Sequence, residues 1–474
     1  MSDAMNGNEA LKEKELEQNP ILIKIHNPVK LPQLIELIDE FIPPDRYRIL
    51  EDDGVFDDGA LHVNTSGNTD FNEIKRELFR NLYAITGKKP DWGTLTGVRP
   101  VKMAGELMES GKTPDEVLRI MQGYYFLSKE KAELIVDTYI LQKEMLGTPP
   151  ENSIGVYIGI PFCPTRCVYC SFASNQVPDS EIARYVPALL KEIDFCGQEM
   201  REHGLFPESV YFGGGTPTTL SAAQMETVLS EVRNKFPMDN CREFTVEAGR
   251  PDTITEEKLT VLKNSGVDRI SINPQSMRQK TLDAIGRSHT PEDIEKAFRL
   301  ADQIGFRVIN ADLIAGLPGE NADDFRYSLE KVLGFGANNI TVHTLAVKRA
   351  SKLVGIDRDY HYKAAGIVGE MLDISRRLLS SAGFRPYYLY RQKHMAGYHE
   401  NTGYALPGTE NLYNVRIMDE HQSILALGAG GISKRYEAET NRLVRTANVT
   451  NYEQYISRID EMCGRKERGF FNGN

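Results

Sequence analysis

The stretch GVYIGIPFCPTRCVYC, residues 155–170, decides how this chain is read. Its first six residues are a short apolar run of the kind a buried strand takes, and Pro161 ends the run. Directly behind come Cys163, Cys167 and Cys170, a C-x3-C-x2-C spacing in a loop with two prolines. Thiolates are soft ligands that suit iron–sulfur clusters, zinc or Cu(I). A structural zinc takes four ligands, usually two cysteine pairs or one pair with downstream histidines; there is no second cysteine pair, and no histidines at that spacing lie near enough in the chain to be persuasive. A 4Fe-4S cube answers the count, because three thiolates hold three irons and the fourth iron stays open for a non-protein ligand.

Working outward, the chain repeats a strand–helix alternation. Candidate strands are 155–160, 209–213, 243–248, 267–272, 306–314 and 339–345, with helical stretches such as SAAQMETVLSEVRNKF and NADDFRYSLEKVLGFG between them. Asn321 stands as a helix cap with Asp323 and Asp324 in the first turn, and Gly266 and Gly305 mark helix ends. The strands read as apolar runs, as expected where both faces are covered. Successive βα units specify a parallel sheet, doubly wound or curled into a full or partial barrel. Polar residues cluster at the strands' C-terminal ends: the cysteine loop, GGGTPT, Glu247, Asn273 with Gln275, Asp312 and His343. One mouth collecting the chemistry favours an α/β barrel.

At 474 residues the chain exceeds the ~250–300 at which one core stops growing, so more than one domain is expected. Residues 1–18 read as a polar tail without the pattern of a signal peptide, and 19–148 as a small α+β domain of unknown role. GTPPENS, from Gly147, is a linker; 149–350 is the barrel core. Residues 351–474, with RPYYLYRQKHMAGYHENTGYALPGTENLYN, suit a mostly helical, loop-rich lid. The net charge of -11 argues against a general nucleic-acid binder, and no apolar run is long enough to span a membrane. Cys196, Cys241 and Cys463 lack spacing, the usage of a reducing cytosol, so a cytoplasmic location is expected.

The loop, with Tyr169 before its last cysteine, and GGGTP after the second strand resemble the radical S-adenosylmethionine superfamily. More closely, VYIGIPFCPTRCVYC, VYFGGGTPTTL, EFTVEAGRPD, ISINPQS, IGRSHT and NADLIAGLPGE follow in the order seen in oxygen-independent coproporphyrinogen III oxidases, the coproporphyrinogen dehydrogenases. The resemblance covers roughly 150–435, and the whole chain is most similar to the HemZ-like branch. It implies a partial (β/α)6 barrel, a 4Fe-4S cluster on Cys163, Cys167 and Cys170, and two S-adenosylmethionine molecules. It further implies that a 5′-deoxyadenosyl radical takes hydrogen from a propionate β-carbon. Loss of carbon dioxide and one electron then leaves a vinyl group, twice over, giving protoporphyrinogen IX.

Carried over residue by residue, the resemblance gives Tyr157, Gly214 and Glu247 to the first S-adenosylmethionine, with Ala346 as a backbone contact to its adenine. Tyr169, Gly215, Thr216, Gln275, Arg287 and Asp312 go to the second. No residue is assigned a catalytic role. Each position also has a plainer reading: Glu247 paired with an arginine, Arg287 paired with Asp312, Tyr157 a core aromatic. The implied partners are a tetrapyrrole substrate and an electron donor such as flavodoxin or ferredoxin. A substrate with four carboxylates calls for cations, and Lys348, Arg349, Lys352, Arg391, Lys393 and His394 are the candidates.

The chain departs from the family pattern at Phe172, where a further cysteine is typical. That absence is shared with haem chaperones, whose H-N-x-x-Y-W motif reads here Glu410-Asn411-Leu412-Tyr413-Asn414-Val415. Haem binding or delivery, and anaerobic haem modification by a radical enzyme, therefore stand as alternatives.

Overall fold

The computed structural model describes residues 20–26, 30–51, 59–65, 70–96, 99–172, 174–346, 364–392 and 395–473. Two units divide at Asp137/Thr138, inside the Lys129–Leu146 helix, whereas the sequence suggested a boundary at 148, just past that helix. The N-terminal tail, Lys348, Arg349, Lys352, Lys393 and His394 lie outside the described residues.

The first unit is α+β, as its patterns predict. Strands β1 (Ile21–His26), β2 (Tyr47–Leu50) and β3 (Leu61–Asn64) form a parallel sheet in the order β2-β1-β3. The Phe71–Thr86 helix starts on Asp70, whose carboxylate accepts from the Asn72 amide, and stops at Gly87 with φ 71°. Ile74, Leu78 and Leu82 on one helix face bury against Ile23, Ile25 and Leu34.

In the second unit, β4 (Ser153–Ile160), β5 (Phe206–Gly214), β6 (Glu243–Glu247), β7 (Arg269–Gln275), β8 (Val308–Ala315) and β9 (Asn339–Thr344) pair in parallel, in chain order. Helices separate each from the next, giving the partial (β/α)6 barrel. Capping boxes at Ser221, Thr290 and Asn321 fix the starts of three of these helices.

The barrel strands are not apolar on both faces, as the sequence reading had it. Val156, Ile158, Val210, Phe212, Val246, Ile270, Ala311 and Val342 turn outward into the main hydrophobic core beneath the helices. Tyr157, Tyr211, Glu247, Ser271, Asp312 and His343 alternate with them and line a cavity. A period of two is what a strand between an apolar layer and a polar cavity requires.

The C-terminal region carries the expected helices, Ala365–Ser381 and Leu412–Asp419 among them, together with strands that the sequence reading did not include. It contributes β10 (Arg385–Arg391), β11 (Glu400–Ala405), β12 (Ile424–Leu427), β13 (Ile432–Glu437) and β14 (Arg442–Ala447) to the same sheet. Antiparallel β11 and β10 extend the barrel beyond β9, and β12 pairs in parallel with β4 on the other side. These strands satisfy what would otherwise be bare sheet edges. Among the described residues no helix is long and apolar enough to cross a membrane.

Candidate functional site

The cysteine loop leaves β4 at Pro161 and is tied down along its backbone. Gly215 N donates to Ile160 O at 2.8 Å, Thr216 N to Phe162 O at 2.8 Å, and Cys163 N to Asn175 O at 3.0 Å. The glycine motif after β5 is therefore the loop's backing. A Cβ on Gly214, which has φ 114°, would stand 2.9 Å from Ile160 O, and one on Gly215 would stand 2.4 Å from Phe162 O. A Cβ at either glycine would thus run into the loop's own backbone.

Every residue assigned by resemblance lines one cavity of about 460 Å³: the three thiols, Tyr157, Tyr169, Gly214, Gly215, Thr216, Glu247, Gln275, Arg287, Asp312 and Ala346. Cys163 Sγ lies 3.4 Å from Thr216 Oγ1. Burial pushes the Cys163 thiol up, opposed by the Thr216 hydrogen bond, and burial raises Cys170 as well.

Glu247 does not pair with an arginine. Its Oε1 accepts from Tyr211 Oη at 2.6 Å. Burial pushes its carboxyl up to about 7; the Tyr211 hydrogen bond opposes this, and the Asp312 charge adds to it. Nor is Arg287 bonded to Asp312. It donates to Gly249 O and Asn273 O at 3.3 Å each and to Tyr169 Oη at 3.2 Å. Asp312 instead accepts from Asn310 Nδ2 at 2.9 Å and faces His343 Nε2 at 3.6 Å.

The donor set fits an iron–sulfur cluster with a polar cofactor. Soft thiols are gathered at the cavity wall, yet among the described residues no group of His, Cys, Asp and Glu converges on a single-ion site. Beside them, Gln275 Oε1 and Arg287 Nε are buried without a hydrogen-bond partner among the described residues, a state that native proteins rarely leave uncompensated. Gln275 also holds φ 66°, a left-handed conformation that costs a non-glycine residue energy and recurs at ligand sites.

Sequence reasoning missed much of the opposite wall. Tyr388 and Tyr390 on β10, Tyr211 on β5 and Tyr413 on the Leu412–Asp419 helix all face the cavity. The i, i+2 spacing of Tyr388 and Tyr390 was a readable strand signal; nothing local betrayed Tyr413. Arg391, a candidate for substrate carboxylates, is buried and donates to Tyr398 O at 2.9 Å through Nη2. Phe172 is 66 % exposed and borders the cavity.

This fold is that of the radical SAM class, and the model of the Radical SAM superfamily matches residues 157–332. The "oxygen-independent coproporphyrinogen-III oxidase-like protein HemZ" of Bacillus subtilis is 40% identical, with 83% of this chain and 80% of that protein covered. The chain belongs to this coproporphyrinogen-III oxidase-like, HemZ-type family of radical SAM proteins. The "heme chaperone HemW" of the same organism is 30% identical over 64% of this chain and 76% of its own length. The solved structure of coproporphyrinogen III oxidase (HemN) from Escherichia coli shares the fold, with a TM-score of 0.52 and 22% identity over 69% of this chain and 73% of that one.

Proposed function

We propose that the protein carries out the oxygen-independent oxidative decarboxylation of two propionates of coproporphyrinogen III to vinyls, giving protoporphyrinogen IX. The observation that carries this reading is the gathering of the thiol trio, the glycine motif and the Glu247, Gln275, Arg287 and Asp312 side chains around one cavity. Cys163, Cys167 and Cys170 would hold a 4Fe-4S cluster. Tyr157, Gly214, Glu247 and Ala346 would hold one S-adenosylmethionine, and Tyr169, Gly215, Thr216, Gln275, Arg287 and Asp312 a second. Together the cluster and S-adenosylmethionine supply hydrogen-atom abstraction.

The chain's own residues position these groups. Gln275 Oε1 and Arg287 Nε offer an acceptor and a donor with no internal claim on them. Glu247, raised to about 7 by burial, can accept from a hydroxyl once ionised. Flavodoxin or ferredoxin is the expected class of electron donor.

The test is anaerobic: reconstituted protein, a strong reductant, S-adenosylmethionine and coproporphyrinogen III. Vinyl-bearing product with 5′-deoxyadenosine is expected. 5′-Deoxyadenosine without vinyl product would overturn the substrate and leave the class intact. The 30% identity to the haem chaperone, together with Phe172 in place of cysteine, supports haem binding and delivery as the second reading. Stoichiometric haem binding without cofactor turnover would favour it.

A further inference from the structure

Tyr413 stands on the Leu412–Asp419 helix, well away in sequence from the residues that the resemblance gives to S-adenosylmethionine. Its ring is stacked 4.7 Å from that of Tyr211 and 6.3 Å from that of Tyr157, with interplanar angles of 23° and 24°. The residue is only 5% exposed. A phenol this deep in a structural role finds a hydrogen-bond partner. Among the described residues the Tyr413 hydroxyl has none, while Tyr211 is committed to Glu247 and Tyr169 to Arg287. Tyr413 borders the cavity that also contains Glu247 and Asp312.

The helix that delivers it is fixed at both ends by buried charge. Glu243 accepts from Leu412 N at 2.8 Å and Tyr413 N at 3.2 Å. Arg416 forks onto Glu208, Nε to Oε2 at 3.0 Å and Nη2 to Oε1 at 3.1 Å. Asn411 caps the first turn through the Asn414 amide. An unclaimed phenol on so rigid a mount is pre-organised for a ligand rather than left over from packing.

The chemistry of the surroundings narrows the ligand. A carboxylate brought here would meet Glu247 and Asp312, and like charges at close range in a desolvated site are strongly disfavoured. A neutral group with adjacent hydroxyls suffers no such penalty. It can donate to Glu247 and exchange a hydrogen bond with the phenol. We infer that Tyr413 is a ligand-binding residue that completes, from the C-terminal region, a subsite for the ribose diol of a nucleoside. The inference rests on the reading that this cavity takes S-adenosylmethionine.

The test compares wild type with Tyr413→Phe, both carrying a reconstituted cluster, in equilibrium binding of S-adenosylmethionine and, separately, of methionine alone. The substitution removes one oxygen and keeps the stacked ring. S-Adenosylmethionine should bind about three- to tenfold more weakly, the effect of one lost hydrogen bond, while methionine binding stays unchanged. Unchanged S-adenosylmethionine affinity, or equal weakening of both ligands, overturns the inference. So does a loss confined to coproporphyrin binding, which would put Tyr413 on the substrate side. If wild type itself fails to bind S-adenosylmethionine, it is the cofactor reading that falls.

Discussion

Tyr211 donates its hydroxyl to Glu247 at 2.6 Å, and this bond restrains a carboxyl that burial drives up to about 7. The folded protein then holds a proton that the unfolded chain releases near 4.5, so stability is lost as pH climbs from about 4.5 to 7. Glu247→Gln keeps an acceptor for Tyr211 and removes the charge. In the absence of cofactor it should exceed wild type by up to about 3 kcal/mol at pH 8 and match it at pH 4. Urea unfolding at the two pH values decides this; a Gln variant no more stable than wild type at pH 8 defeats it.

His289 gives the opposite slope. It is 1% exposed, both ring nitrogens lack partners among the described residues, and burial, with Arg287 and Arg250 nearby, pushes its pKa down to about 4. Above pH 6.5 it is neutral in both states and contributes no pH dependence. Below that, the unfolded chain gains a proton that the folded one refuses, and stability falls until pH nears 4. His289→Gln should flatten the stability profile between pH 6.5 and 4 by about 2–3 kcal/mol. A variant profile parallel to wild type would show that His289 titrates normally.

The barrel and the site were legible because their signals are local. The run at 155–160, its cysteine loop and the glycine motif lie within short windows, and their capped helices announce themselves by spacing. Beyond the Tyr388 and Tyr390 alternation the C-terminal strands were not legible, because β11 and β12 gain their meaning from partners far away in sequence: Thr402 opposite Val342, Leu425 opposite Val156. Tyr413 was hidden for the same reason. What places it is Glu243, a buried carboxylate that no composition or period marks as a helix anchor. The polar inner face of the barrel was half visible, since its residues were read at strand ends but not as an alternation along the strands.

A buried ion pair ties the chain's last helices to the barrel. Lys466 Nζ lies 2.5 Å from Glu192 Oε1, both fully buried, and Glu192 Oε2 accepts from Gly428 N at 2.7 Å and Tyr455 Oη at 2.6 Å. Lys466→Met strands the carboxylate and should cost about 3–5 kcal/mol of unfolding free energy. Adding Glu192→Leu should not restore it, because Gly428 N, Tyr455 Oη and Asn448 Nδ2 then lose their acceptor. Chemical denaturation of both variants measures this. Recovery in the double variant would mean that the single variant's loss came from the stranded charge alone, and that neither the ion pair nor the network around it is needed to hold these helices.

Gly215 tests whether the glycine motif serves the cysteine loop. A Cβ there would stand 2.4 Å from Phe162 O, 2.9 Å from Phe162 C and 3.0 Å from Cys163 Sγ. The first two are backbone atoms, and Thr216 N already holds Phe162 O at 2.8 Å, so nothing can step aside cheaply. Gly215→Ala should therefore push Cys163 out of register while leaving the helix-covered core intact, at a cost of about 1–3 kcal/mol. Gly334→Ala, where a Cβ meets nothing within 4 Å, is the matched control. After anaerobic reconstitution, iron and sulfide per chain should fall in Gly215→Ala and stay at the wild-type level in Gly334→Ala, with equal far-ultraviolet circular dichroism. If Gly215→Ala takes up a full complement of iron, the loop tolerates displacement at Cys163, and the close approach at Gly215 is not what sets its thiols.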